Sequence, residues 1–181
     1  LAVMLLTRFS FGVIAIIFPV YINASGTATG IALSLYPLAE AASAPIIGSY
    51  SDRFGRRYSF TLGLLSLSLL NLAMSLSRNY DVASTIHALM GISAAAVTVS
   101  TLALITDYTL VSNRGRWMGA FDLSNLAGYA LGFLAGSYFS HIYQASLQDT
   151  FLVIGAILFA TSLLSFLAVK DIRIERVEKL I

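Results

Sequence analysis

The sequence predicts an all-α membrane protein with six transmembrane helices, and three observations carry that prediction. Hydrophobic residues make up 57% of the 181 positions and charged residues only 11%, whereas a soluble domain carries about 25% charged residues. Mean hydropathy is +0.82, so the solvent for most of the chain is lipid. The apolar residues also fall into long runs such as FTLGLLSLSLLNLAMSL. These lack the strict alternation of a barrel strand, and in lipid only helices or closed barrels satisfy every backbone group.

A helix needs about 20 mostly apolar residues to cross the hydrocarbon layer. Six segments qualify, at about 4–22, 29–50, 58–77, 82–106, 117–139 and 150–169. The first runs on past Ile22, too long for a signal peptide, and holds Pro19 near its end; Arg8 is expected to snorkel to the near interface. The second contains Pro37 and Pro45, which suit a bent helix lining a cavity, on either side of Glu40. The third offers only Ser66, Ser68, Asn71 and Ser75 as polar groups, the fourth carries His87, the fifth Asp122, and the sixth has no ionisable residue. The segment 170–181, KDIRIERVEKLI, is amphipathic and suits a helix on the membrane surface or the start of a linker. The start at Leu1 rather than Met and the linker-like end lead us to expect further chain, with six more spans after Ile181.

Orientation follows from the loop Lys and Arg residues. With the N-terminus inside, the inner segments hold ten of the eleven, and the outer loops only Arg78. Both ends, and the loop between the second and third spans, are therefore expected on the cytoplasmic side of a cell membrane. The chain has no cysteine, which excludes disulfides and thiolate metal sites. No cofactor, metal or nucleic-acid partner is expected.

The inner loop GSYSDRFGRR is the most charged short stretch. Gly55 permits a tight reversal between antiparallel helices. Asp52, at the end of the second helix, needs a positive partner against the local dipole. Its residues Gly48, Asp52, Arg53, Gly55, Arg56 and Arg57 resemble the signature G-x-x-x-D-R-x-G-R-R/K of the major facilitator superfamily of secondary transporters, with Tyr50 in place of the usual Leu. The resemblance implies the N-terminal half of a twelve-helix carrier, built of two inverted three-helix repeats. It also implies that Arg56 pairs with an acid closing the fourth helix, here Asp107. Asp52, Arg56 and Asp107 would then form a latch that breaks as the halves rock. IIGSYSDRF and LAGSYFSHIY occupy equivalent places in the two presumed repeats.

The fifth helix carries Gly119, Gly128, Gly132 and Gly136. The last three lie one turn apart on a face that lets another helix approach. They resemble the helix-5 motif of family antiporters, G-x8-G-x3-G-P-x2-G, with Phe133 in place of Pro. HALMGISAAA in the fourth helix resembles the family's R-x-x-Q-G-x-G-A-A, with His87 for Arg and Met90 for Gln.

An intramembrane charge marks a pathway or an inward-facing partner. Glu40 lies about eleven residues from either end of its span, roughly 16 Å at 1.5 Å per residue, where transporter sites are built. Tyr36 and Ser43 share its face. Glu40, Tyr36, His87, Asp122 and Asn125 are the candidate proton or substrate residues; Asp122 is expected to pair with Arg114 and Arg116 at the membrane border. The expected function is proton-coupled efflux of a drug-like or metabolic compound by alternating access, with a lipid bilayer, a small-molecule substrate and protons as partners. The alternative is uptake or facilitated passage of a sugar, organic acid or other metabolite. A distant alternative, an intramembrane serine protease, has G-x-S at Gly91–Ser93 but lacks a histidine in the sixth helix. A channel would leave the charged loop unexplained.

Overall fold

The structure is a computed structural model that describes residues 1–77, 79–142 and 147–169. The amphipathic tail expected over 170–181 and Arg78 lie outside the described residues. Among the described residues six α-helices follow one another: α1 (Ala2–Ile22), α2 (Gly26–Phe54), α3 (Arg56–Leu76), α4 (Tyr80–Tyr108), α5 (Arg114–Ile142) and α6 (Leu147–Ala168), with a 3₁₀ turn at Val111–Asn113 before α5. All but α5 are long and apolar enough to cross a membrane by length and composition. The glycines, Ser124, Asn125 and Asp122 dilute the hydropathy of α5.

Several helices outrun the apolar segments that announced them because polar caps extend their ends. The Ser25 side chain accepts from the Ala28 amide at the start of α2, and Asn79 accepts from the Asp81 and Val82 amides at the start of α4, satisfying amides that the first turn leaves open. α1 and α2 continue through Pro19, Pro37 and Pro45. Gly55 breaks α2 from α3. Its φ of 106° lies in a region that costs a side-chain-bearing residue strain.

α1 packs chiefly on α5, α2 on α4, and α3 on both α4 and α6. The buried core fills the space among α1, α3, α4 and α6, with Ile14, Phe18, Leu64, Met74, Met90 and Phe151 at or near zero exposure. Hydroxyls inside the helices mostly return to their own chain, as Thr7 does to the Val3 carbonyl and Thr101 to that of Val97, which spares a polar group without a partner. A few cross between helices. Ser68 donates to the Gly155 carbonyl and Ser162 to that of Thr61, joining α3 to α6. One side of α2 and α5 stays open, with Leu38, Ile46, Leu123 and Leu126 exposed.

Glycines set the closest approaches. A methyl added at Gly128 would lie 2.6 Å from the Leu5 carbonyl oxygen, one at Gly136 2.9 Å from that of Val13, and one at Gly132 would meet the Phe9 carbonyl and lie 2.9 Å from Gly12 Cα. α5 therefore lies on α1 through backbone. Gly119 faces open space; it shares the motif's spacing but not the contact. Gly91 plays the same part where α4 meets the Tyr36 carbonyl of α2.

Candidate functional site

The close fit of α1 to α5 puts Arg8 among polar groups from three other helices. Its Nη1 donates to Glu40 Oε2 at 3.1 Å and to the Tyr129 hydroxyl at 2.9 Å; its Nη2 donates to Glu40 Oε1 at 2.6 Å and to Thr98 Oγ1 at 2.8 Å. Thr98 Oγ1 in turn lies 3.0 Å from Glu40 Oε1, where the hydroxyl donates. This is a two-pronged guanidinium–carboxylate bridge, the geometry that best suits both partners. The side chains are 5% and 17% exposed, so the pair is largely shielded from solvent.

Arg8 therefore does not snorkel. Glu40 is the central residue of α2 (Gly26–Phe54), Thr98 lies in the middle third of α4, and Tyr129 is next to the centre of α5. Arg8 sits level with these midpoints, where its side chain has no short way to an interface and pairing is the cheaper solution. Glu40, expected to carry a proton or contact cargo, is half of an ion pair. Arg8, Thr98 and Tyr129 were absent from the expected site. Thr98 and Tyr129 carry no signal in the sequence, but Arg8 did: an arginine and a glutamate inside neighbouring apolar helices are natural partners.

Aromatic rings surround the cluster. Tyr129 lies beneath the guanidinium, 5.4 Å from ring centroid to Cζ, and Phe11 meets both Tyr129 and Tyr36, at 5.2 and 4.3 Å. Tyr36 is buried and also faces His87, at 5.3 Å. His87 is fully buried and stacked on Phe18 at 4.4 Å, and among the described residues neither of its nitrogens has a hydrogen-bond partner. Asp122 is exposed on the open side of α5 and forms no ion pair among the described residues. The expected bridges to Arg114 and Arg116 are missing because those residues sit eight and six positions back, roughly 12 and 9 Å along the axis and off its face. Arg114 instead donates to the Thr106 carbonyl at 3.3 Å. The Asn125 side-chain oxygen is buried without a partner among the described residues. There, too, no three acidic or imidazole groups converge as a metal site requires.

The second polar assembly is the α2–α3 turn. Arg56 reaches Asp107 Oδ2 at 2.7 Å and Asp52 Oδ1 at 3.1 Å, and also donates to the Ala103 carbonyl. One guanidinium thus joins the end of α2, the start of α3 and the end of α4. Arg57 lies over the Phe166 ring, 4.4 Å from its centroid, and donates to that residue's carbonyl, tying the turn to α6. Arg53 is exposed, and a methyl at Gly48 would find only an ordinary contact with Val99 at 3.5 Å; neither has a role in the turn's own geometry.

A family profile described as Major Facilitator Superfamily matches residues 1–180. The chain belongs to the Major Facilitator Superfamily. It is similar to multidrug resistance protein 1 of Bacillus subtilis, 25% identical over 83% of this chain and 38% of that protein. It is also similar to the class B tetracycline resistance protein of Escherichia coli, 35% identical over 69% and 33%, and to multidrug resistance protein MdtG of Proteus mirabilis, 25% identical over 92% and 42%. The chain thus spans between 33% and 42% of the length of these relatives.

Proposed function

We propose that this chain is one six-helix half of a secondary transporter that exports a drug-like or metabolic compound by alternating access, driven by proton exchange. The observation that carries the reading is the Arg56 bridge, which ties two helix ends and a turn with charges that can part and re-form as two halves rock. α5 crosses the membrane too in this reading, and its open face is where the second half docks. The loop charges support an orientation with the α2–α3 turn and both ends cytoplasmic. Inverted repeats are supported by packing. Exchanging α1–α3 with α4–α6 turns the α1–α5 contact into the α4–α2 contact, and both rest on glycine at the crossing. Export is supported by the resistance functions named for the relatives.

Proton exchange needs a carboxyl that can lose its proton without stranding another charge. Asp122 meets that need better than Glu40, which Arg8 holds. A second reading, uptake of an organic acid, draws support from the buried Arg8 itself.

The test is flux through the full-length transporter in inside-out vesicles, with tetracycline and puromycin as probes. Accumulation that falls when nigericin collapses the pH gradient is expected. Flux no greater than in empty vesicles for both probes would overturn the export reading, and flux indifferent to nigericin would overturn proton coupling. A cysteine introduced by Arg53→Cys should react with an impermeant maleimide only from the cytosolic side; reaction from outside would refute the orientation.

A further inference from the structure

We propose that Arg8 is a binding residue for an oxyanion group of the cargo, and that Glu40 is a tethered carboxylate holding its place until a proton neutralises it. This rests on the reading of the chain as a transporter half and, because cargo and proton then travel together, it accords with the uptake of an organic acid rather than with proton exchange.

Glu40 is the more exposed of the two side chains, 17% against 5%, so the carboxylate is the member of the pair that solvent reaches more readily. Its two oxygens take one hydrogen bond from each terminal nitrogen of Arg8. A carboxylate on a cargo molecule presents the same pair of oxygens at the same spacing, and a planar guanidinium takes either in the same two-pronged way. Thr98 donates to the oxygen now in place and would donate to its replacement.

Charge balance decides which cargo suits the cluster. Arg8 and Glu40 cancel. An incoming anion restores neutrality only if a proton settles on Glu40, so anion and proton enter together. An incoming cation finds no such compensation, because a guanidinium does not give up its proton in a protein. The charged and titratable groups around Glu40 are Arg8 from α1, Tyr129 from α5 and Tyr36 from its own helix, with Thr98 from α4. His87 lies behind Tyr36, and Asp122 is two turns along α5 from Tyr129. None of these is a second cation that could hold the anion instead. The rings point to the rest of the molecule. Tyr129, under Arg8, stacks on Phe133 at 6.1 Å and 25°, and Phe133 is 42% exposed, a surface for an aromatic ring carrying the acidic group.

The test uses full-length transporter in lipid nanodiscs, with benzoate, benzamide and benzylammonium as probes of one ring and three charges. Ligand-induced thermal stabilisation is read between pH 5.5 and 7.5. Benzoate alone should stabilise, with an apparent affinity that rises as pH falls by up to about tenfold per pH unit, the linkage of one co-bound proton. Glu40→Gln should keep benzoate binding and remove its pH dependence, a change that a merely structural role for Glu40 does not produce. Arg8→Gln should abolish binding. Thr98→Val, which removes one donor and little volume, should weaken it several-fold and serves where Arg8→Gln does not fold. Equal stabilisation by benzylammonium, an unchanged pH slope in Glu40→Gln, or no benzoate binding by a protein that transports tetracycline or puromycin would overturn the inference. Benzoate binding by a protein that moves no solute would overturn the transporter reading and leave the Arg8 site standing.

Discussion

Removing Glu40 while Arg8 stays should destabilise the protein far more than removing both. Glu40→Ala takes away two of the four side-chain hydrogen bonds that Arg8 donates and leaves a guanidinium of 5% exposure without a counter-charge. Breaking one side of a buried pair costs about 3–5 kcal/mol. Two unmet hydrogen bonds to a charged group, at about 1.5–3 kcal/mol each, give about 3–6 kcal/mol, which overlaps that range. Arg8→Met should cost a similar amount, since it strands the carboxylate. The double variant Arg8→Met/Glu40→Leu removes both charges, and filling the space with apolar side chains of similar size is near neutral. The coupling energy should therefore exceed about 3 kcal/mol, against the roughly 0.5 kcal/mol within which independent sites add. The assay is denaturant unfolding of the full-length protein in detergent for wild type, both single variants and the double. Additive single effects would mean that the pair is not a coupled unit, and would remove the basis for reading Glu40 as the occupant of Arg8.

Two further outcomes follow from the packing and the turn. Gly132→Ala pushes a methyl into the backbone of α1 at Phe9 and Gly12. It should cost about 1–3 kcal/mol, the usual penalty for overpacking, whereas Gly119→Ala, which meets open space, should be neutral or slightly stabilising in the same unfolding assay. Asp107→Asn weakens the 2.7 Å bridge to Arg56. If that bridge is a latch, the cysteine of Arg53→Cys should react with maleimide several-fold faster in the Asp107→Asn background, and an unchanged rate would refute the latch.

The lipid solvent, the helical fold and the charged turn were legible from residue order alone, because each depends on local composition. An apolar run of twenty residues has one economical conformation in lipid. Gly55 marks a reversal because few other residues tolerate its φ. The meeting of Arg56 with Asp107 was reachable only through a family resemblance, since 51 positions separate the two and no local rule joins them. The spacing of Gly128, Gly132 and Gly136 announced a contact face but did not name α1 as its partner.

Tertiary structure decided the fate of each intramembrane charge. Arg8 reads as an interfacial residue when α1 is viewed alone; it becomes buried because α1 lies against the middle of α5, where backbone meets backbone. Glu40, read from its span as a proton or cargo residue, becomes the partner of Arg8, and Asp122, expected to be paired, is left open. A charge in lipid must find a counter-charge, a donor or a route to water, and which of these it finds depends on the relative heights of helices. Those heights are set by glycine contacts between residues more than fifty positions apart, a distance at which residue order carries no direct trace.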